Sequence, residues 1–246
     1  MFLHDMIEIM SQASPEFEAR LESAKLDAMK ELAYGASHEI NNPLANISAR
    51  AQALLRDEQD PDRRRTIEAI NEQSLRAHEM ISDLMLFSRP PALEYTEVDL
   101  AALIKQSADE AKEVLQLHEV GIELVVKAEP STIQADRSQL LIAIGALVRN
   151  SLEAIGTAGN IKLSARIEKE QAKVLVEDDG PGIPPEIREH MFEPFYSGRE
   201  AGRGLGFGLS KCWRIVSEHG GIIKVESPEA GGAIFSISLP TKQKTR

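Results

Sequence analysis

The 246-residue chain has a single cysteine, Cys212. No disulfide can form within it, and no Cys/His spacing suits a metal site; Cys212 is expected on a helix near the core. The chain also lacks the run of about 18 consecutive apolar residues that a membrane-crossing helix needs. Its first ten residues, broken by His4, Asp5 and Glu8, read neither as a signal peptide nor as an anchor. The expectations are no membrane segment in this chain and a cytoplasmic location, with membrane tethering of a longer protein left open if the chain is a fragment. Positive charge is in deficit, with 28 Lys and Arg against 39 Asp and Glu and a formal net charge of −11. That balance speaks against nucleic acid, whose phosphates reward clustered cations. The one dense basic run, Arg63-Arg64-Arg65, follows Asp60 and Asp62 and reads as a solvated helix start. Internal repeats and low-complexity tracts are absent too.

What is present divides into dissimilar parts. Ser14-Pro15-Glu16 reads as a capped helix start, and one long helix is expected over about Pro15 to Asp57. Ile40, Leu44, Ile47, Ala51 and Leu54 recur at alternating steps of four and three, a coiled-coil-like seam. Pro43 interrupts it and is expected to kink the helix. Asp60-Pro61 marks a tight connection, and a second helix is expected to Ser88, with apolar and small residues again spaced by three and four. Two long helices joined by a short turn make an antiparallel pair. One pair covers only part of each apolar face, whereas two pairs make a four-helix bundle, so a homodimer is expected. Pro90-Pro91 ends the second helix. Beyond it, helices are expected near Leu100–Gln116, Ser138–Ile155 and Leu209–His219, and strands at Ile122–Val126, around Ile161 to Ile167, at Val174 and Val176, at Ile222–Glu226 and at Ala233–Leu239. Strands mixed with helices in one segment indicate a sheet with helices on one face.

The residues with chemistry cluster in short stretches. Ser37-His38-Glu39-Ile40-Asn41-Asn42-Pro43-Leu44 puts an imidazole on the long helix. Histidine titrates near about 6.5, so its neutral ring is a competent nucleophile near neutral pH. Glu39 can accept the other ring N–H and stabilise developing positive charge. Asn42, four residues on, shares the helix face of His38. Asp178-Asp179-Gly180-Pro181-Gly182 follows a strand; a carboxylate there can accept from the exocyclic amine of adenine, with glycines letting backbone pass close to the base. Gly202-Arg203-Gly204-Leu205-Gly206-Phe207-Gly208 leads into a helix N-terminus, where backbone N–H groups attract phosphate. The G-x-G-x-x-G and G-x-x-x-x-G-K-[ST] patterns both fail here. Asn150, in Leu147-Val148-Arg149-Asn150-Ser151-Leu152-Glu153-Ala154, sits inside an otherwise apolar helix and wants a partner; Mg²⁺, which prefers oxygen ligands, is one and a satisfied core contact is another.

Taken in order, these stretches resemble the boxes of the histidine kinases of two-component systems: the H box at 37–44, the N box at 147–154, the G1 box at 178–182, the F box at Phe192-Glu193-Pro194-Phe195 and the G2 box at 202–208. The resemblance covers about Leu26 to Pro240. It implies a helical dimerisation and histidine phosphotransfer domain at 16–89, an interdomain linker at 90–97, and a catalytic domain at 98–240. That last is a two-layer α/β sandwich of the Bergerat ATP-binding type, shared with gyrase and the chaperone Hsp90. Residues 1–15 and 241–246 are then an N-terminal linker or sensor remnant and a C-terminal tail. By the same resemblance His38 is the phospho-acceptor, Glu39 its general base, and Asn42 the residue that hydrolyses the partner's phospho-aspartate. Asn150 holds Mg²⁺ and Asp178 reads adenine, while Gly180, Gly182, Ile183, Gly202, Gly204, Leu205 and Gly206 shape the ATP cleft and lid. The expected partner is a response regulator receiver domain. The chain departs from the family at Ala146, where the N box usually has a second Asn, at Arg199, where Lys is frequent, and at Gly208, where Ala or Ser is common. Ala146 and Gly208 keep open a dimeric scaffold with a degenerate ATP site. A gyrase-like ATPase clamp is the other alternative, although those relatives lack the histidine box.

Overall fold

The computed structural model describes residues 15–88, 90–126, 132–193, 196 and 206–242. The chain divides into two compact units, 1–90 and 91–246. The first is a helical hairpin of α1 (Pro15–Asp57) and α2 (Pro61–Ser88). The expected cap at Ser14 lies outside the described residues. At the start of α2, Asp60 Oδ1 accepts the N–H groups of Asp62 and Arg63 at 2.9 and 3.0 Å, and Pro61 takes the first turn, where its missing N–H costs nothing. Between the helices, Ser74 Oγ donates to the Leu44 carbonyl at 2.7 Å and Ser48 Oγ donates to Asn71 Oδ1 at 2.8 Å. These bonds fix the register of the pair. Ala51 is buried in the seam, but Ile40, Ile47, Leu54 and Ile70 stay 40%, 44%, 62% and 48% exposed. One hairpin therefore leaves much of its apolar stripe uncovered.

The second unit is a mixed five-stranded sheet with helices on one face. Its elements are β1 (Thr96–Asp99), α3 (Leu100–Leu117), β2 (Val120–Val126), β3 (Thr132–Ala135), α4 (Arg137–Ile155), β4 (Gly159–Glu168), β5 (Gln171–Asp178), α5 (Pro185–His190), α6 (Phe207–Glu218), β6 (Ile222–Glu226) and β7 (Ala233–Pro240). The strand order is β2-β4-β5-β7-β6. Among the described residues only β2 and β4 pair in parallel, and β1 pairs with β3 as a separate antiparallel ribbon. Register builds the core in rows: Leu163, Val176, Phe235 and Val225 are successive partners across four strands, as are Ala165, Val174, Ile237 and Ile223. These side chains lie on the face covered by α3, α4 and α6, and Phe235, Leu163 and Val176 are fully buried. The opposite face is polar: Lys162 stands opposite Glu177 with their charges 3.7 Å apart. That one-sided burial is the physical origin of the alternation along β4 and β5. Helix starts are fixed by acids, Asp99 accepting from Ala101 N–H and Asp136 from Gln139 N–H. Cys212 is fully buried on α6 and burial pushes its thiol pKa up, so it is packing and not a nucleophile. Among the described residues no helix is long and apolar enough to cross a membrane.

Candidate functional site

In the hairpin, His38, Glu39 and Asn42 all lie on α1, whose helix continues through Pro43. Pro43 has no N–H, so the Glu39 carbonyl loses its ladder donor there. Glu39 and Asn42 are exposed. The turn before His38 is pinned by Ser37, which is buried and donates through Oγ to the Tyr34 carbonyl at 2.9 Å. The turn after it is pinned from across the hairpin, where His78 Nδ1–H of α2 donates to Asn41 Oδ1 at 3.0 Å. The accessible carboxylate and amide near His38 are thus presented on a stretch of backbone held on both sides.

In the second unit, Asp178 ends β5 and gathers the candidate cleft around one carboxylate. Its Oδ2 accepts from Ser151 Oγ at 2.8 Å. Its Oδ1 accepts the N–H groups of Gly180 at 3.1 Å and Ala233 at 3.2 Å. Both oxygens are thereby aimed by groups from α4, the glycine turn and β7, and Oδ2 keeps a lone pair for an external donor. Asn150, half-buried on α4, is next to Ser151 in sequence, so one helix brings both residues to this end of the sheet.

The turn after Asp178 is fixed from two sides. Asp179 accepts from Asn160 backbone N–H at 2.8 Å and Asn160 Nδ2 at 3.0 Å, and these bonds hold its carboxyl below the usual range. On the other side, Ile183 N–H donates to Ser227 Oγ at 2.8 Å, and Ser227 Oγ donates to the Gly232 carbonyl at 3.0 Å. Gly182 sits between at φ 84°, and a Cβ there would lie 2.7 Å from Ser227 Oγ, so only glycine fits. Gly206 opens α6 in the left-handed conformation at φ 73°, and a side chain there would run into the Tyr196 backbone. Gly206 makes no side-chain cap bond at the start of α6.

Gly202, Gly204 and Leu205, with Pro194, Phe195 and Arg199, lie outside the described residues. Of the residues expected at the nucleotide cleft, Asn150, Asp178, Gly180, Gly182, Ile183 and Gly206 are described. Ser151, Asn160, Ser227 and Gly232 were not singled out from sequence. Small polar residues and a glycine ahead of the last strand are ordinary surface features until the sheet brings them together. Among the described residues no group of three or more His, Cys, Asp or Glu could hold a metal ion. The neutral Asn150 amide oxygen is a hard donor that could hold a cation here alongside oxygens of a bound molecule. That donor set suits Mg²⁺, which dehydrates reluctantly and binds few protein ligands.

Comparison with known proteins places the two units separately. Residues 135–243 match the family described as histidine kinase-, DNA gyrase B- and HSP90-like ATPase, and residues 28–93 match the His Kinase A (phospho-acceptor) domain. Sporulation kinase C of Bacillus subtilis is 33% identical over 222 residues, 90% of this chain and 51% of that protein. The chain spans about half the length of the curated relatives it matches. Among solved structures, the catalytic domain of histidine kinase ThkA is 33% identical with a TM-score of 0.56, covering 61% of this chain and 97% of that one. ThkA in complex with the response regulator protein TrrA is 28% identical with a TM-score of 0.66, covering 91% of this chain and 65% of that one.

Proposed function

The chain belongs to the sensor histidine kinases of two-component signalling, and from that premise we propose that it phosphorylates its own His38 from ATP and passes the phosphoryl group to an aspartate of a receiver domain. The observation that carries the proposal is the division of labour in one chain. A histidine stands on a braced helix in one unit, while a strand-end carboxylate, aimed by Ser151, Gly180 and Ala233, forms a cleft in the other.

ATP is the substrate of the second unit. Asp178 Oδ2 accepts from the adenine amine, and the backbone at Gly180, Gly182 and Ile183 passes the base. Gly202, Gly204, Leu205 and Gly206 belong to the loop over the phosphates. The Asn150 oxygen would hold Mg²⁺, which when bound neutralises phosphate charge. The His38 lone pair forms the N–P bond as the bond from the γ-phosphorus to its bridging oxygen breaks and ADP departs. Glu39 takes the ring proton, so the ring carries no net positive charge afterwards. Little covalent work is left to the protein, so positioning and charge neutralisation supply the acceleration. A receiver aspartate oxygen then displaces the histidine nitrogen, restoring His38. Asn42 orients a water for hydrolysis of the phospho-aspartate.

Residues 16–89 are the dimerisation and phosphotransfer domain and 98–240 the catalytic domain in this reading. The homodimer is supported by a shallow groove on the hairpin, lined by Leu44, Ile47, Ala69, Ile70, Gln73 and Ser74, and by the exposed stripe beside it. A second hairpin covers that stripe as a four-helix bundle. The complex of ThkA with a response regulator supports a receiver partner of the same kind.

The test is incubation with γ-labelled ATP and Mg²⁺, wild type beside His38→Ala. Acid-labile, base-stable label on the wild type alone is expected. Label retained in His38→Ala would remove His38 from the mechanism, and phosphate release by both proteins without label would indicate an ATPase clamp. Asn42→Ala is expected to keep the label and lose dephosphorylation of the receiver; loss of both would contradict separate roles.

A further inference from the structure

Residues Pro91–Tyr95 lead into β1, and the second unit grips them with buried polar groups that the reaction above does not use. Glu94 N–H donates to Asp136 Oδ2 at 2.9 Å, and Gln139 Nε2 donates to the Pro91 carbonyl at 3.3 Å. The Tyr95 ring stands edge-on to the His219 ring, with centroids 5.7 Å apart and planes at 61°. Asp136, His219 and Gln139 are only 5%, 4% and 2% exposed.

The gripping residues are tied to one another and to two helices of the cleft. Asp136 N–H donates to His219 Nε2 at 3.0 Å, and His219 Nδ1–H donates to the Ile215 carbonyl at 2.8 Å. One ring nitrogen accepts and the other donates, which fixes a neutral tautomer. Asp136 Oδ1 meanwhile caps α4, accepting from Ser138 Oγ at 2.7 Å and Gln139 N–H at 3.1 Å. Helix α4 carries Asn150, and α6, whose C-cap is His219, has Gly206 as its N-cap.

Capping alone does not account for a buried carboxylate here. Asn or Ser caps a helix as well as Asp does, without the cost of burying charge. What the ionised side chain adds is its second oxygen, and that oxygen holds the Glu94 N–H.

We infer that Asp136, with His219 and Tyr95, is a clamp that fixes where the chain between the two units is anchored, and that this anchoring sets the rate of phosphoryl transfer to His38. The inference rests on the kinase reading and deepens it. With the clamp closed, the span from Ser88, the end of α2, to anchored Pro91 is three Cα steps, a reach of at most about 11 Å. With the clamp open, the next fixed point is Thr96 in β1, and the reach grows to about 28 Å. A tether that outgrows the span it must bridge lowers the effective concentration of the two reacting groups. Asp136 is thus a positioning residue and touches neither nucleotide nor histidine.

The test uses the full chain and compares wild type, Asp136→Asn, Tyr95→Leu, and a wild type lengthened by four Gly/Ser residues between Pro90 and Pro91. Asp136→Asn keeps the Oδ1 cap but turns an N–H₂ toward the Glu94 N–H. The expected result is ATP affinity within twofold of wild type and a labelling rate at His38 lowered on the order of tenfold. Hydrogen exchange at Glu94 should lose its protection. Tyr95→Leu should move the rate in the same direction, and the lengthened linker should give a similar loss that does not add to Asp136→Asn. Unchanged labelling despite lost Glu94 protection would overturn the clamp. So would ATP affinity falling in step with the rate, because Asp136 would then act through the nucleotide site. Absence of label on the wild type, with Glu94 protected and ATP bound, would sink the kinase reading and the clamp's role in transfer with it. Label on the wild type together with an unprotected Glu94 would sink the clamp alone.

Discussion

The hairpin and the sandwich bury their apolar residues to different degrees. In the sandwich, core rows run across four strands and are closed over by helices, so Phe235, Leu163 and Val176 see no solvent. In the hairpin, Ile47, Leu54 and Ile70 remain about half exposed, and the best-fixed contacts are polar, through Ser48, Ser74 and His78. The sandwich satisfies its hydrophobic pattern within one chain; the hairpin leaves an apolar stripe that, in the reading proposed above, a second copy covers. The stability of the first should be independent of concentration, and that of the second should not be.

The largest break in this comparison is expected from Ile70→Glu. A carboxylate in the centre of the bundle costs several kcal/mol per protomer once desolvated, so the dimer should dissociate at micromolar concentration. Sedimentation or light scattering reads the mass, and an unchanged dimer would show that the Ile70 face is not the interface. Phe235→Ala follows, with an expected loss of about 3–5 kcal/mol confined to the sandwich, since a fully buried ring leaves a cavity. Its unfolding midpoint, measured at two protein concentrations, should fall equally at both.

Acid should separate the units next. Burial works against ionised Asp136, but bonds from Glu94 N–H, Ser138 and Gln139 N–H outweigh it and lower its pKa. The same holds for Asp179 through Asn160. A carboxylate depressed in the folded state binds fewer protons there than when unfolded. Its stabilisation is full above the ordinary aspartate value of about 3.9 and is lost as pH falls through the lower folded value. The sandwich of wild type should therefore lose stability below about pH 4 more steeply than that of Asp136→Asn. Parallel acid curves for the two proteins would remove Asp136 from the account.

What could be read in the chain differed between the units for the same physical reason. Periodicity and caps are local, so the helices of the hairpin were legible at their ends, down to Asp60-Pro61. Alternation at Ile161, Leu163 and Ala165 declared a one-sided sheet. The strands β1 and β3 were not legible, because each is four residues long and exists only through pairing with residues far along the chain, as Val98 does with Ile133, 35 positions on. Helix α5 is a six-residue turn behind Pro184 with no apolar period. Asp178 and Asn150 stood out because a carboxylate closing a strand and an amide in an apolar helix each need a chemical partner. Ser151, Ser227 and Asp136 gave no such signal: a serine after Asn150 or an aspartate before α4 is unremarkable until the fold shows what it holds.

The smallest expected effect sharpens the comparison most finely. Asp60 Oδ1 takes two N–H groups at the first turn of α2, and Asp60→Ala should cost about 1 kcal/mol of helix stability. If the hairpin folds as a dimer, as proposed above, that loss is shared by both copies and moves a transition whose midpoint rises with protein concentration. The bundle midpoint should drop by a few degrees at each concentration, with the concentration dependence retained. The sandwich transition should stay in place, because Asp60 belongs to the other unit. A midpoint that falls but no longer depends on concentration would mean that the hairpin is stable alone, and that its exposed stripe is not kept for a second copy.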